Sequence, residues 1–214
     1  MPTELIEKPK PVTGRPGGPG RGGRSDGNGA RSGGGPTPTN AATMGLGFAL
    51  AAIAMLFVAF TTTYLGHRQD GTWAALPLPG VLWVDTAVLL ASSAALEWGR
   101  RQARQGHAAA FRRGITAAWG LGLVFLAGQL VAWRQLAHLG IYLSSNPHSS
   151  FFYLLTGAHG VHLLVGLAAL GMILPRAWED ALPPFRSTAV EVTALYWHFL
   201  TVLWLYLFVI LFWL

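Results

Sequence analysis

The chain has 214 residues, of which 52% are hydrophobic and only 11% are charged. An average soluble domain is about one quarter charged, so this composition excludes a water-soluble globular protein and predicts one that resides in lipid. The sequence contains no cysteine, which excludes a disulfide framework and a thiolate metal site.

Residues 1–42 differ from the rest of the chain in composition. The stretch from Gly14 to Gly35 contains 11 of the 27 glycines, together with proline, serine and arginine. So few apolar side chains cannot offset the entropy of ordering, which predicts a disordered basic tail. Arg21 and Arg24 lack the interleaved aromatic residues on which bases stack, so we expect no nucleic-acid partner.

Beyond this tail, five apolar runs each reach the roughly 20 residues that a membrane-crossing helix needs. They predict an all-α polytopic membrane protein, a bundle of five transmembrane helices. The predicted spans are residues 43–66, 80–98, 114–136, 150–174 and 189–214. The expected connections contain the helix breakers Pro77, Pro79, Pro147, Pro175, Pro183 and Pro184.

The basic residues lie very unevenly on the two sides of these spans. Of 15 Lys and Arg residues, all but Arg68 and Arg134 fall on the side that holds the N-terminus. Because positive side chains are retained in the cytoplasm, this asymmetry predicts a cytoplasmic N-terminus and a periplasmic C-terminus.

Polar side chains within lipid are costly and therefore informative. His159 and His162 are one helical turn apart in the fourth span, and Glu191, Trp197 and His198 follow in the fifth. Three interpretations remain open: hydrogen bonds between helices, contact with lipid headgroups, and ligation of a metal or haem.

The second and third spans carry further polar residues. Glu97 precedes Arg100 and Arg101 by three and four residues, a spacing that favours an ion pair at the cytoplasmic side over a proton-entry role. Asp85 is expected to cap its helix or to pair with a neighbouring subunit. Gln129 is expected to contact another helix.

Three of these segments resemble motifs of one family. The segment from Thr156 to His162, with Gly166 after it, is similar to T-G-x-H-G-x-H-x-x-x-G. Glu191 followed by Tyr196 to Phe199 is similar to E-x-x-x-x-Y-W-H-F, and the segment from Asp85 to Ser93 is similar to N-T-x-x-L-L-x-S-S. The chain thus resembles subunit III of haem-copper terminal oxidases, in a short five-helix bacterial form, over its whole membrane part.

The resemblance implies a non-catalytic subunit of an oxidase that reduces O2 to water and pumps protons. Such a subunit carries no haem, copper or other metal, packs with catalytic subunit I and subunit II in the bacterial inner membrane, and holds phospholipid. The network expected from the motifs comprises His159, His162, Glu191, Trp197 and His198.

Two positions depart from the family pattern. Ile53 replaces a buried glutamate, so a proton-antenna role through that acid is absent, and Thr201 replaces the aspartate that commonly follows W-H-F.

Alternative hypotheses are an accessory subunit of a nitric oxide reductase, and a haem-bearing membrane anchor that uses His159, His162 and His198. A transporter is a further alternative, but the sequence has no inverted repeat.

Overall fold

The computed structural model describes residues 38–68, 79–142, 147–179 and 188–213, and its regular structure in these ranges is helical. The helices are α1 (Pro38–Arg68), α2 (Val81–Arg104), α3 (Ala108–His138), α4 (Pro147–Trp178) and α5 (Thr188–Trp213). Each is long and apolar enough to cross a bilayer, where a helix satisfies its backbone polar groups internally. The prediction of an all-α protein with five membrane-spanning helices is confirmed. Residues 1–37, which form most of the predicted tail, lie outside the described residues.

Helix α4 extends beyond its predicted span at both ends. It begins at Pro147, the position where a missing backbone N–H removes no helical hydrogen bond. It also continues through Pro175 to Trp178, and the Glu179 N–H donates to the Pro175 carbonyl at 3.0 Å. Both prolines were expected in connections; at the two ends of a helix this long, neither interrupts it.

Glycine ends both α2 and α3 in the same way. Gly106 and Gly140 have φ angles of 87° and 74°, which L-residues with side chains rarely adopt. After α2, the N–H groups of Gly106 and His107 donate to the carbonyls of Ala103 and Gln102. The equivalent pair of bonds follows α3, so both ends are Schellman motifs, and the first turns the chain directly into α3.

Helices α2 and α3 pack backbone against backbone. A Cβ atom placed on Gly114 would lie 2.6 Å from the Cα atom of Gly99 and 2.9 Å from the Ala95 carbonyl oxygen. Small residues allow such an approach between membrane helices, which maximises van der Waals contact where no hydrophobic driving force exists. Gly99 and Gly114 therefore fix the spacing of this helix pair.

The remaining helices pack around α5. It contacts α1, α2 and α4, while α4 also contacts α3 and α1. Of the five spans, α5 buries the largest share of its residues and α1 the smallest. Trp197 and Trp204 of α5 are among the largest fully buried side chains, and they mark the centre of the bundle.

Candidate functional site

Trp197 of α5 lies at a contact between four helices, α2, α3, α4 and α5. Its indole N–H donates to the Ser92 hydroxyl at 3.2 Å, and that hydroxyl donates to the Ala118 carbonyl at 2.8 Å. Cβ atoms on Gly122 and Gly166 would approach the indole ring to 2.8 and 3.0 Å. The two glycines therefore provide the space that the ring occupies. The indole N–H has a hydrogen-bond partner inside the helix bundle, as a buried tryptophan usually does.

His159 lies next to the second buried tryptophan. The Trp204 indole N–H donates to the Thr86 hydroxyl at 3.0 Å, and the His159 ring lies 5.2 Å from Trp204 and 6.0 Å from Phe125 between ring centroids. His159 is fully buried, and neither ring nitrogen has a hydrogen-bond partner among the described residues. This burial places His159 between helices, away from the surface that lipid covers.

His162 points in a different direction, toward α1. It is half-buried, its Nδ1 lies 2.7 Å from the Ala158 carbonyl oxygen, and its ring is 5.8 Å from Phe57 of α1. The Tyr196 hydroxyl of α5 donates to the His162 carbonyl at 3.0 Å. His162 therefore joins α1, α4 and α5.

His198 belongs to a charged cluster between α2 and α5. Its Nδ1 lies 2.6 Å from the Ser93 hydroxyl, and its Nε2 lies 3.6 Å from a Glu97 carboxylate oxygen. Glu97 also accepts hydrogen bonds from Arg100 and Arg101, both at 3.1 Å. Glu97 thus pairs with Arg100 and Arg101, as their spacing in the sequence predicted. It also contacts His198, which lies on another helix and is not predictable from the spacing.

Glu191 is separate from the histidines with which the sequence grouped it. Its carboxylate lies 3.8 Å from the Arg104 guanidinium, and both side chains are about 60% exposed. An exposed pair of this kind contributes little to stability. Glu191 thus lies at an exposed contact between α2 and α5. It does not take part in the hydrogen bonds inside the bundle that the structure describes.

The prediction for Asp85 was wrong. The expectation was a helix cap or a contact to another subunit, but Asp85 is 3% exposed and accepts a hydrogen bond from the Gln129 amide at 3.2 Å. Gly128 gives the carboxylate room, since a Cβ there would collide with it. The other Gln129 side-chain atom, Oε1, is buried and without a partner among the described residues. The sequence did contain an indication of this pair, because Asp85 and Gln129 are polar residues within two apolar spans that follow each other in the chain.

The comparisons with known proteins identify the family. Residues 43–214 match the family model described as cytochrome c oxidase subunit III. The chain belongs to this family. It is therefore a subunit III of a haem-copper oxidase, part of an oxidase complex, and the nitric oxide reductase and haem-anchor alternatives are not favoured.

Curated relatives support the same assignment. The chain is 35% identical to cytochrome c oxidase subunit 3 of Synechocystis sp. over 177 residues, covering 76% of this chain and 71% of that protein. It is 34% identical to the probable cytochrome c oxidase subunit 3 of Nocardia farcinica over 159 residues, covering 72% and 78%. For the subunit 3 of Corynebacterium diphtheriae the identity is 32% over 158 residues.

The subunit III motifs coincide with the interior contacts. The α4 motif supplies His159, His162 and Gly166, whose missing side chain leaves space for the Trp197 ring. The α5 motif supplies Trp197 and His198. Within the described part of the chain, no three His, Asp or Glu side chains form a group that could hold a metal ion. In the structure, each of these residues contacts a neighbouring helix of the same chain.

Proposed function

We propose that this subunit III is a non-catalytic scaffold that stabilises catalytic subunit I, together with subunit II, and retains phospholipid in the bacterial inner membrane. Haem and copper reside in the partner subunits. The observation that carries this proposal is the use of the interior polar groups: Ser92, Trp197, Thr86 and Trp204 are satisfied by one another between helices. A rigid bundle with this chemistry supplies a shaped surface to a partner.

The proposed lipid contacts involve the network residues that reach the surface. His162 is half-buried and Glu191 is exposed, whereas His159 and Trp197 are fully buried. Lipid headgroups and acyl chains therefore meet His162 and Glu191, and the buried pair supports them from within. This divides four of the five predicted network residues into an inner and an outer part, and His198 lies apart in the charged cluster between α2 and α5.

The proposed orientation follows from charge. Arg100, Arg101 and Arg104 end α2, and Arg112 and Arg113 begin α3, so five arginines surround one connection. Positive residues in short connections are retained in the cytoplasm. The N-terminus of α1 then faces the cytoplasm and the C-terminus of α5 faces the periplasm.

A mild-detergent purification of the tagged full-length chain tests the proposal. We expect a haem-bearing subunit I and subunit II to co-purify, with a reduced-minus-oxidised haem spectrum that stays with them when the chain is dissociated. Phosphorus analysis of the complex is expected to show retained phospholipid. Haem that remains on the isolated chain, or purification without any oxidase subunit, would contradict the scaffold function.

A further inference from the structure

A groove runs along the surface of the bundle between α3 and α4. Its volume is about 250 Å³. Gly157 and Gly160 form a wall without side chains, and a Cβ on Gly157 would lie 3.7 Å from the Trp133 ring. Leu130 and Leu164, which also line it, are each 54% exposed. The groove is therefore apolar and open toward the membrane, as an acyl chain requires.

A second recess of about 340 Å³ adjoins the groove at the end of the bundle where α3 connects to α4. The two share Leu130 and Trp133 as lining residues. The recess adds Arg134, Tyr142 and Tyr153, the residue types that are enriched where a membrane meets water. The combined space therefore changes from an apolar groove to a recess with polar side chains. A phospholipid has the same order of acyl chain and headgroup.

Arg134 gives this recess its charge. It is exposed, and it forms no ion pair with any other residue that the structure describes. No carboxylate is among the described residues that line the recess. A guanidinium presents paired donors that match a phosphate, while a positively charged headgroup amine would find no acidic partner here. The recess therefore favours a headgroup with net negative charge.

We propose that the α3–α4 groove binds one anionic phospholipid, with an acyl chain against Gly157 and Gly160 and the phosphate on Arg134. The inference rests on the proposed retention of phospholipid and adds to it a site that does not include His162 or Glu191, together with a headgroup class. The volumes of groove and recess together lie within the range of ordinary ligand sites. A transmembrane helix of a partner subunit is the competing occupant, and the exposed Arg134 favours the lipid because a phosphate matches the paired donors of a guanidinium.

Native mass spectrometry of the full-length chain in detergent micelles tests this site, with phosphatidylglycerol and phosphatidylcholine as the added probes. We expect the unaltered chain to retain one phosphatidylglycerol in preference to phosphatidylcholine. Arg134→Gln is expected to lower phosphatidylglycerol affinity about fivefold and to remove the preference. Arg113→Gln, which removes the same charge from the opposite end of α3, is the matched control and is expected to change neither.

Filling the groove tests its apolar half. Gly160→Leu places a side chain where a Cβ would meet only Leu126, at 4.0 Å, so we expect loss of both lipids with unchanged helicity. An equal effect of Arg134→Gln and Arg113→Gln, or no effect of Arg134→Gln, would overturn the site. If Gly160→Leu instead abolishes co-purification of the oxidase while Arg134→Gln leaves lipid binding unchanged, a partner helix occupies the groove. If the variants lose lipid while the oxidase subunits still co-purify, the loss concerns this lipid site only, and the proposed scaffold function is not contradicted.

Discussion

His159 and His198 occupy opposite kinds of surroundings. Neither ring nitrogen of His159 meets a described hydrogen-bond partner, whereas His198 lies between the Ser93 hydroxyl and the Glu97 carboxylate. A buried polar group without a partner costs free energy, and its replacement by an apolar group of similar shape is close to neutral. The two histidines should therefore respond differently to the same substitution.

We predict that His159→Leu leaves the thermal unfolding of the full-length chain in detergent nearly unchanged, while His198→Leu lowers its free energy of unfolding by about 1–2 kcal/mol. The second substitution deprives Ser93 and Glu97 of a partner between α2 and α5. Far-ultraviolet circular dichroism during heating measures both. Equal destabilisation by the two variants would show that His159 has a bonding partner in the folded protein.

The pair formed by Asp85 and Gln129 gives a second prediction at this scale. Gln129→Leu leaves the buried carboxyl group without its amide donor, and we expect a loss of about 1–3 kcal/mol. Asp85→Asn keeps an acceptor for the Gln129 amide and adds an N–H donor beside a side chain whose Oε1 is unpartnered, so it should unfold no earlier than the original chain. The same melting experiment compares them, and an early transition for Asp85→Asn would refute the pairing.

At the scale of elements, the α2–α3 pair depends on the absence of two side chains. Gly114→Ala would bring a methyl group within 2.6 Å of Gly99 Cα. That atom belongs to the backbone and can move only if the helices separate. We predict that this substitution destabilises the chain by about 1–3 kcal/mol, the usual cost of overpacking.

Gly120 provides the matched control in the same helix. A Cβ there meets no atom within 4 Å, so Gly120→Ala should leave the unfolding transition unchanged or raise it, because alanine favours helix more than glycine does. Urea or thermal unfolding of the two variants side by side gives the comparison. Similar behaviour of both would mean that the helices are farther apart than described.

The helices themselves were predictable, but their neighbours were not. The length of an apolar run is a local property, so five spans could be read directly from the sequence. The Ser92 to Trp197 bond joins residues 105 positions apart, and no local pattern contains that pairing. Glu191 and His198 do share a helical stripe, but seven residues at 1.5 Å each separate them by about 10 Å along the axis. That distance brings Glu191 to Arg104 and His198 to Ser93.

The α4 motif shows the same limit for direction around a helix. His159 and His162 are three residues apart, which rotates one side chain about 60° from the other. This rotation is enough to direct His159 toward Trp204 in the interior and His162 toward Phe57 of α1. The three-residue spacing therefore could not distinguish the buried histidine from the half-buried one.

At the scale of the whole molecule, the orientation can be tested with single cysteines, because the natural sequence has none. Gln105 and Leu139 are exposed residues at equivalent helix ends, in the α2–α3 connection and directly after α3. We predict that an impermeant maleimide labels Leu139→Cys in intact spheroplasts and labels Gln105→Cys only after permeabilisation. The reverse pattern would invert the proposed topology.

The contact between Gly99 and Gly114 also has a consequence for biogenesis. These residues are separated by one tight turn in the chain, so their contact requires no residue after α3, and closing so short a loop costs little entropy. Helices α2 and α3 can therefore enter the bilayer from the translocon as a preassembled hairpin. Such a hairpin already exposes the Ser92 hydroxyl and the Gly122 notch that later receive the Trp197 ring. The earlier part of the chain thus serves as the template on which its last helix docks.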